Sequence, residues 1–205
     1  MTTMPPGITL DMVEATTEAA IQRLKPDLPT LDVLLNQETL ELVDSDAPMP
    51  DKHLRMIAIV DQASALVGPQ TPCKSGCSHC CKMAVTISSH EADLIAEHIG
   101  VERDHPPMAL DQGHEVSKFM NVPCVFLKKG KCSIYEVRPL ACRTHYNLSS
   151  FPEVCNTVDY PGNDVPNLDW RKVWNASAII HAEAGNSFAD IRAYFPNGAR
   201  NVQYL

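Results

Sequence analysis

Apolar residues recur at helical spacing through the first third of the chain. Leu10, Val13, Ala20, Ile21 and Leu24 fall on one face of a helix that KPDLP (residues 25–29) is expected to end. Leu31, Leu34, Leu35 and Leu42 predict a second helix running to DSDAPMP. Met56, Ile59, Val60, Ala63, Leu66 and Val67 make the clearest stripe, stopped by Gly68 and Pro69. Stripes of this kind are expected to be packing surface rather than cofactor contacts.

Further along, the pattern breaks into shorter pieces. AVTISSHEADLIAEHIG (84–100) reads as a short strand and then a helix, with Ser88 and Glu91 spaced as a capping box and Gly100 as the stop. Residues 101–120 read as loop, with RDHPP as the breaker. CVFLKKGKCSIY (124–135) predicts a tight hairpin around Lys-Lys-Gly-Lys, holding Cys124 and Cys132 near one another at its base. EVRPLACRTHY predicts one or two helical turns, with Pro139 early enough to be tolerated. Asn167 is the expected N-cap of a closing helix marked by Trp170, Val173, Trp174, Ser177 and Ile180, with a shorter helix near 187–194. The expected fold is mainly α with a small β-hairpin, an irregular cysteine-rich metal-binding module packed on helices. Residues 1–69 form an acidic helical segment, 70–160 the module, and 161–205 closing helices of the same domain.

Charge changes this picture in one respect. Residues 1–72 hold eleven Asp and Glu against four Lys and Arg, so nearly all of the net −8 lies there. An acidic front does not suit a nucleic-acid backbone, and no apolar run is long enough for a membrane helix. Neither nucleic acid nor membrane is an expected partner. A solvated helical face is the plain reading, a dock for a basic protein the alternative. The first residues lack a basic and apolar leader pattern, so a cytoplasmic location is expected, and the sequons at Asn147 and Asn175 carry no meaning there.

All eight cysteines fall within 73–155: Cys73, Cys77, Cys80, Cys81, Cys124, Cys132, Cys142 and Cys155. Adjacent Cys80 and Cys81 cannot bridge each other without strain, and cytoplasmic cysteine clusters signal metal or catalysis rather than disulfides. Thiolates are soft, charged ligands, and short spacings let one turn supply several. Cys77-Ser-His-Cys80 has zinc-knuckle spacing. Cys73-x3-Cys77-x2-Cys80 has the spacing that ligates three irons of a four-iron cluster, and Cys81 is expected to point away from Cys80 toward a fourth corner or a second site. No phosphate loop, catalytic triad or paired-carboxylate pattern stands out.

CxxxCxxCC followed by PCVFLKKGKCSIYEVRPLACRTHY resembles the YkgJ-like cysteine-cluster family of zinc- or iron-chelating domains. The resemblance covers about residues 70–160 and maps onto Cys73, Cys77, Cys80, Cys81, Cys124, Cys132 and Cys142, with Cys155 in FPEVC as the eighth. It implies that all eight are metal ligands. The family is distantly related to the flagellin lysine N-methylase, which carries an iron–sulfur cluster and uses S-adenosylmethionine; no separate methyl-donor fingerprint is present in this chain.

Three functions are compatible with these residues. The first is a metal-binding protein whose centre is structural or has a redox or sensing role. The second is a cluster-containing methyltransferase or other oxidoreductase, and the third a zinc module for protein interaction or metal handling. An iron–sulfur cluster, 4Fe-4S on Cys73, Cys77 and Cys80 with a later cysteine, is favoured narrowly. Zinc on Cys81, Cys124, Cys132 and Cys142 is the close alternative, and both fit one molecule. Arg138 and Arg143 either offset the thiolate charge or form ordinary ion pairs. Tyr135 is expected to pack beneath the site. His79 and His145 are expected beside the metal rather than on it, and His181 in core or at the surface.

Overall fold

A computed structural model describes residues 4–106, 118–162 and 164–198. In chain order the elements are α1 (Leu10–Leu24), α2 (Leu28–Asp32), α3 (Thr39–Asp44), α4 (Met49–Val67), β1 (Thr86–Ser88), α5 (Ser89–Ile99), β2 (Leu127–Lys128), β3 (Lys131–Cys132), α6 (Leu140–Arg143), α7 (Arg171–Glu183), β4 (Phe188–Asp190) and α8 (Ile191–Tyr194). The protein is mainly α, as expected, with two small two-stranded sheets. The chain forms two compact units, each from two stretches. One is Met1–Lys74 with Arg143–Ala184, the other Ser75–Cys142 with Gly185–Leu205.

The first unit is helical. Thr9 caps α1, its hydroxyl accepting the Met12 N–H at 3.3 Å. KPDLP does not end the helical run. Pro26 and Pro29 each sit in the first turn of the next helical piece, where no N–H is needed. A π-helical segment, Val33–Glu38, follows α2 and brings both Leu34 and Leu35 inside. Its widened turn is closed by the Thr39 hydroxyl, which donates to the Leu34 carbonyl at 2.9 Å. α4 buries Met56, Ile59, Val60, Ala63 and Val67 and packs against α3, the π segment and α7.

Two expectations about α7 need correction. The helix begins at Arg171, and Asn167 is not its N-cap. The Asn167 side-chain oxygen Oδ1 instead accepts the Leu168 N–H at 2.8 Å and the Trp170 indole N–H at 3.2 Å. The buried stripe is Val173, Ala176 and Ile180. Trp174 is exposed, with its indole N–H donated to the Thr144 hydroxyl at 2.9 Å.

The second unit is built around one apolar cluster. Ile87, Ala92, Ile95, Ile99, Phe126, Ile134, Ala189, Ile191, Tyr194 and Phe195 are buried together, with Cys124 and Cys132 packed against them. β1 pairs antiparallel with β4, Ile87 opposite Ala189. The stretch 187–194, expected to be helical, thus gives a strand before the single turn of α8. The α5 capping box forms as the sequence predicts, and Gly100 closes the helix at φ 67°. The hairpin is also as expected, with Leu127 opposite Cys132. Lys129 and Gly130 both have positive φ, the signature of a type I′ turn. Of the expected loop 101–120, residues 107–117 lie outside the described residues. Among those described, no helix is long and apolar enough to cross a membrane.

Candidate metal centre

Six cysteines lie in the second unit: Cys77, Cys80, Cys81, Cys124, Cys132 and Cys142. Cys73 and Cys155 belong to the first, where Cys155 is buried beside Val154. No disulfide joins any of the eight.

Local backbone geometry presents each thiol. Cys80 and Cys81 occupy a 3₁₀ turn, His79–Lys82, held by the Cys81 N–H donating to the Ser78 carbonyl at 3.1 Å. The Cys124 N–H donates to the Cys81 carbonyl at 2.7 Å, tying these two cysteine-bearing segments together. The hairpin supplies Cys124 at its entrance and Cys132 on β3. Both are held alike: the Phe126 N–H is directed at the Cys124 sulfur, and the Ile134 N–H at the Cys132 sulfur. Amides two residues on that point at sulfur favour thiolate over thiol. Cys142 rides α6, whose first N–H, from Leu140, is accepted by Glu91 at 2.9 Å.

Four of these thiols form one electrostatic neighbourhood. Cys142 is acted on by Cys124, Cys132 and Cys81; Cys124 by Cys81 and Cys132; Cys132 by Cys81. Every pairing among the four is thus represented once. Burial is the first cause of the upward shifts and pushes Cys124 up to about 11, opposed by the Phe126 N–H and Arg192. Cys132 is raised by burial, against the Ile134 N–H and Arg138. Cys142 is raised furthest, by burial and then by its thiol neighbours and Glu91. Cys142 keeps exposed surface, so solvent screens part of the burial effect, while its thiol neighbours and Glu91 push the same way. Cys81 departs from this trend. A hydrogen bond from Cys80 is the main cause of its fall to about 7, with Arg192 helping and burial opposing.

The Cys80–Cys81 contact corrects an expectation. The two side chains do not diverge, because successive residues of a 3₁₀ turn are about 120° apart rather than on opposite faces. Among the described residues, no three His, Cys, Asp or Glu side chains are grouped at metal-holding spacing. The four thiols are thus neighbours and not a closed coordination shell.

Residues 72–158 match a family model, CxxCxxCC, described as a putative zinc- or iron-chelating domain. This segment is thus similar to a cysteine-cluster domain. No curated protein and no solved structure matches the chain. The donor chemistry of this segment suits a thiophilic ion: four cysteines of one unit whose charges act on one another, two of them beside main-chain N–H groups that favour the thiolate. Each thiol must shed its proton to ligate, so uptake of metal releases protons.

The remaining candidates fall out as follows. Arg143 forms the ordinary ion pair, donating to both Asp61 oxygens at 2.8 Å. The Arg138 charge acts on Cys132, and its guanidinium lies 4.0 Å from the Tyr135 ring centre. Tyr135 does not pack beneath the site; it is 62% exposed with that guanidinium over its ring. His145 is half-buried in the first unit, its Nε2 without a hydrogen-bond partner, and burial lowers its pKa. His181 is core, its Nε2 3.1 Å from Nδ1 of buried His53. Sequence reasoning missed Arg192, whose charge reaches Cys81 and Cys124. It lies beyond the matched segment, and nothing in its local sequence points to sulfur.

Proposed function

We propose that this protein binds zinc through Cys81, Cys124, Cys132 and Cys142 and exchanges it with its surroundings. The observation that carries this reading is the backbone link between the two cysteine segments, the Cys124 N–H donating to the Cys81 carbonyl at 2.7 Å, with the hairpin bringing Cys132 back opposite Leu127. The charges of Cys81, Cys124 and Cys132 also act on Cys142. Four thiolates on one divalent ion are the usual complement of a tetrahedral site. Partial exposure supports exchange: Cys142 is exposed, and the other three are half-buried, unlike a sealed structural centre. The reading predicts one zinc per chain that a strong chelator removes while α1–α4 stay helical. Cys124→Ser or Cys132→Ser lowers affinity at least tenfold, and Cys155→Ser leaves it unchanged. Equal loss in all three variants would sink this ligand grouping.

The spacing Cys73-x3-Cys77-x2-Cys80 favours a second reading, a four-iron cluster with a redox or sensing role, completed by a later cysteine. Acid-labile sulfide and a brown colour in protein purified without oxygen would select it.

A further inference from the structure

Arg192 is buried in the second unit, with 4% of its surface exposed. Its guanidinium is fixed on one side by Asp190: Nη1 donates to the two carboxylate oxygens at 2.9 and 3.1 Å. Asp190 is itself anchored, accepting the Arg192 N–H at 2.8 Å and the Val85 N–H at 2.7 Å. The other side of the fork faces main-chain carbonyls. Nη2 donates to Val122 at 2.6 Å and Met83 at 3.0 Å, with Cys81 at 3.4 Å, and Nε donates to Pro123 at 3.4 Å.

These carbonyls belong to two segments. One runs from Cys81 to Met83, the other from Val122 to Pro123, immediately before Cys124. A guanidinium with five donors in a rigid plane can hold both segments at one spacing, and a lysine ammonium cannot. Elsewhere, a buried ion pair without such partners would stand as a liability. Here the pair is satisfied on every face by the chain that carries the thiols.

We propose that Arg192 is a positioning residue for the metal centre, clamping the Cys81 and Cys124 segments at the separation ligation requires. The proposal rests on the four-thiol reading above. The clamp is supplied from outside the matched segment, by a residue whose neighbour Asp190 ends strand β4. Its positive charge also acts on the Cys81 and Cys124 sulfurs, the sense that offsets a centre of net negative charge.

The test is a set of full-length variants, Arg192→Lys, Arg192→Met and Ile99→Ala. The last opens a cavity in the same core without touching the clamp. Zinc affinity is read by chelator competition, the ligand field by the visible spectrum of the cobalt-substituted protein, and stability by denaturant unfolding. Loss of a group that orients metal ligands typically costs 10–100-fold in affinity. The expectation is therefore about tenfold weaker zinc binding in Arg192→Lys, about a hundredfold in Arg192→Met, and altered cobalt bands in both. Ile99→Ala should lose stability with its cobalt spectrum intact. If wild type binds zinc and the Arg192 variants match Ile99→Ala in affinity and spectrum, the clamp is refuted and the four-thiol reading survives. If wild type binds no thiophilic metal, both fall. Should Arg192→Met fail to fold, amide exchange in wild type decides. Zinc loading must slow exchange in peptides 81–85, 122–124 and 190–192 at least tenfold, and unchanged exchange overturns the proposal.

Discussion

Replacing Glu91 by Gln tests how the fold sets the entry of α5 and the turn carrying Cys142. The Glu91 side chain is buried, and its two oxygens serve different partners. Oε2 accepts the Ser88 N–H at 2.9 Å and the Ser88 hydroxyl at 3.2 Å, while Oε1 accepts the Leu140 N–H at 2.9 Å. Glutamine keeps the shape but one acceptor oxygen; its NH₂ must face either Ser88 or Leu140 with a second donor. One buried N–H then loses its acceptor, a loss of about 2 kcal/mol within a range of roughly 1–3. Glu91→Ala removes both acceptors and the capping box together, for roughly 4 kcal/mol. Ser88→Ala loses only the N-cap oxygen, about 1 kcal/mol. Native-state hydrogen exchange of the Ile95 and Ala96 amides reads these differences within α5. Zinc competition reads the second consequence, a roughly tenfold weaker site as the Leu140 turn loosens. If Glu91→Gln lies within 0.5 kcal/mol of wild type, or if Ser88→Ala is the worse variant, the argument from the shared carboxylate is wrong.

Three further outcomes follow from the same geometry. His145 is held neutral by burial, so its folded pKa lies below the ordinary value. The unfolded chain then takes up the proton first, so stability is full above about pH 6.5 and falls below it by up to about 1.4 kcal/mol per pH unit. Urea unfolding followed by Trp170 fluorescence should show that decline, and His145→Leu should flatten it. Lys129 at φ 50° occupies a left-handed turn position that asparagine tolerates better. Lys129→Asn should stabilise the hairpin by about 0.5 kcal/mol, visible as slower exchange of the Ser133 amide. Gly130→Ala, at φ 75°, should weaken it by about 1 kcal/mol in the same measurement.

What the sequence made legible was local. The Ser88–Glu91 box, the Gly100 stop, the type I′ hairpin and the α4 stripe are written within a few residues, and all appear. What it concealed depends on distant partners. A three-residue strand such as β4 exists because β1 pairs with it, and KPDLP joins helices because its prolines fit the next first turn. Asn167 looked like a cap but is occupied by Trp170 and Leu168. The site divides the same way. The cysteines are plain in the sequence, but spacing along 73–81 says nothing about which thiols meet Cys124, Cys132 and Cys142 through space. Arg192 could not be found from spacing at all, since its partners are carbonyls of segments about seventy and one hundred and ten residues away.

One measurement reaches the central claim. Protein from native expression would be assayed for metal and sulfide, then alkylated under native conditions before and after chelation, with each cysteine mapped by mass. The account predicts one zinc per chain, no acid-labile sulfide, and Cys81, Cys124, Cys132 and Cys142 protected until the metal is stripped. Absence of bound metal, or protection that spares those four and falls on Cys73, Cys77 and Cys80 alone, would contradict it.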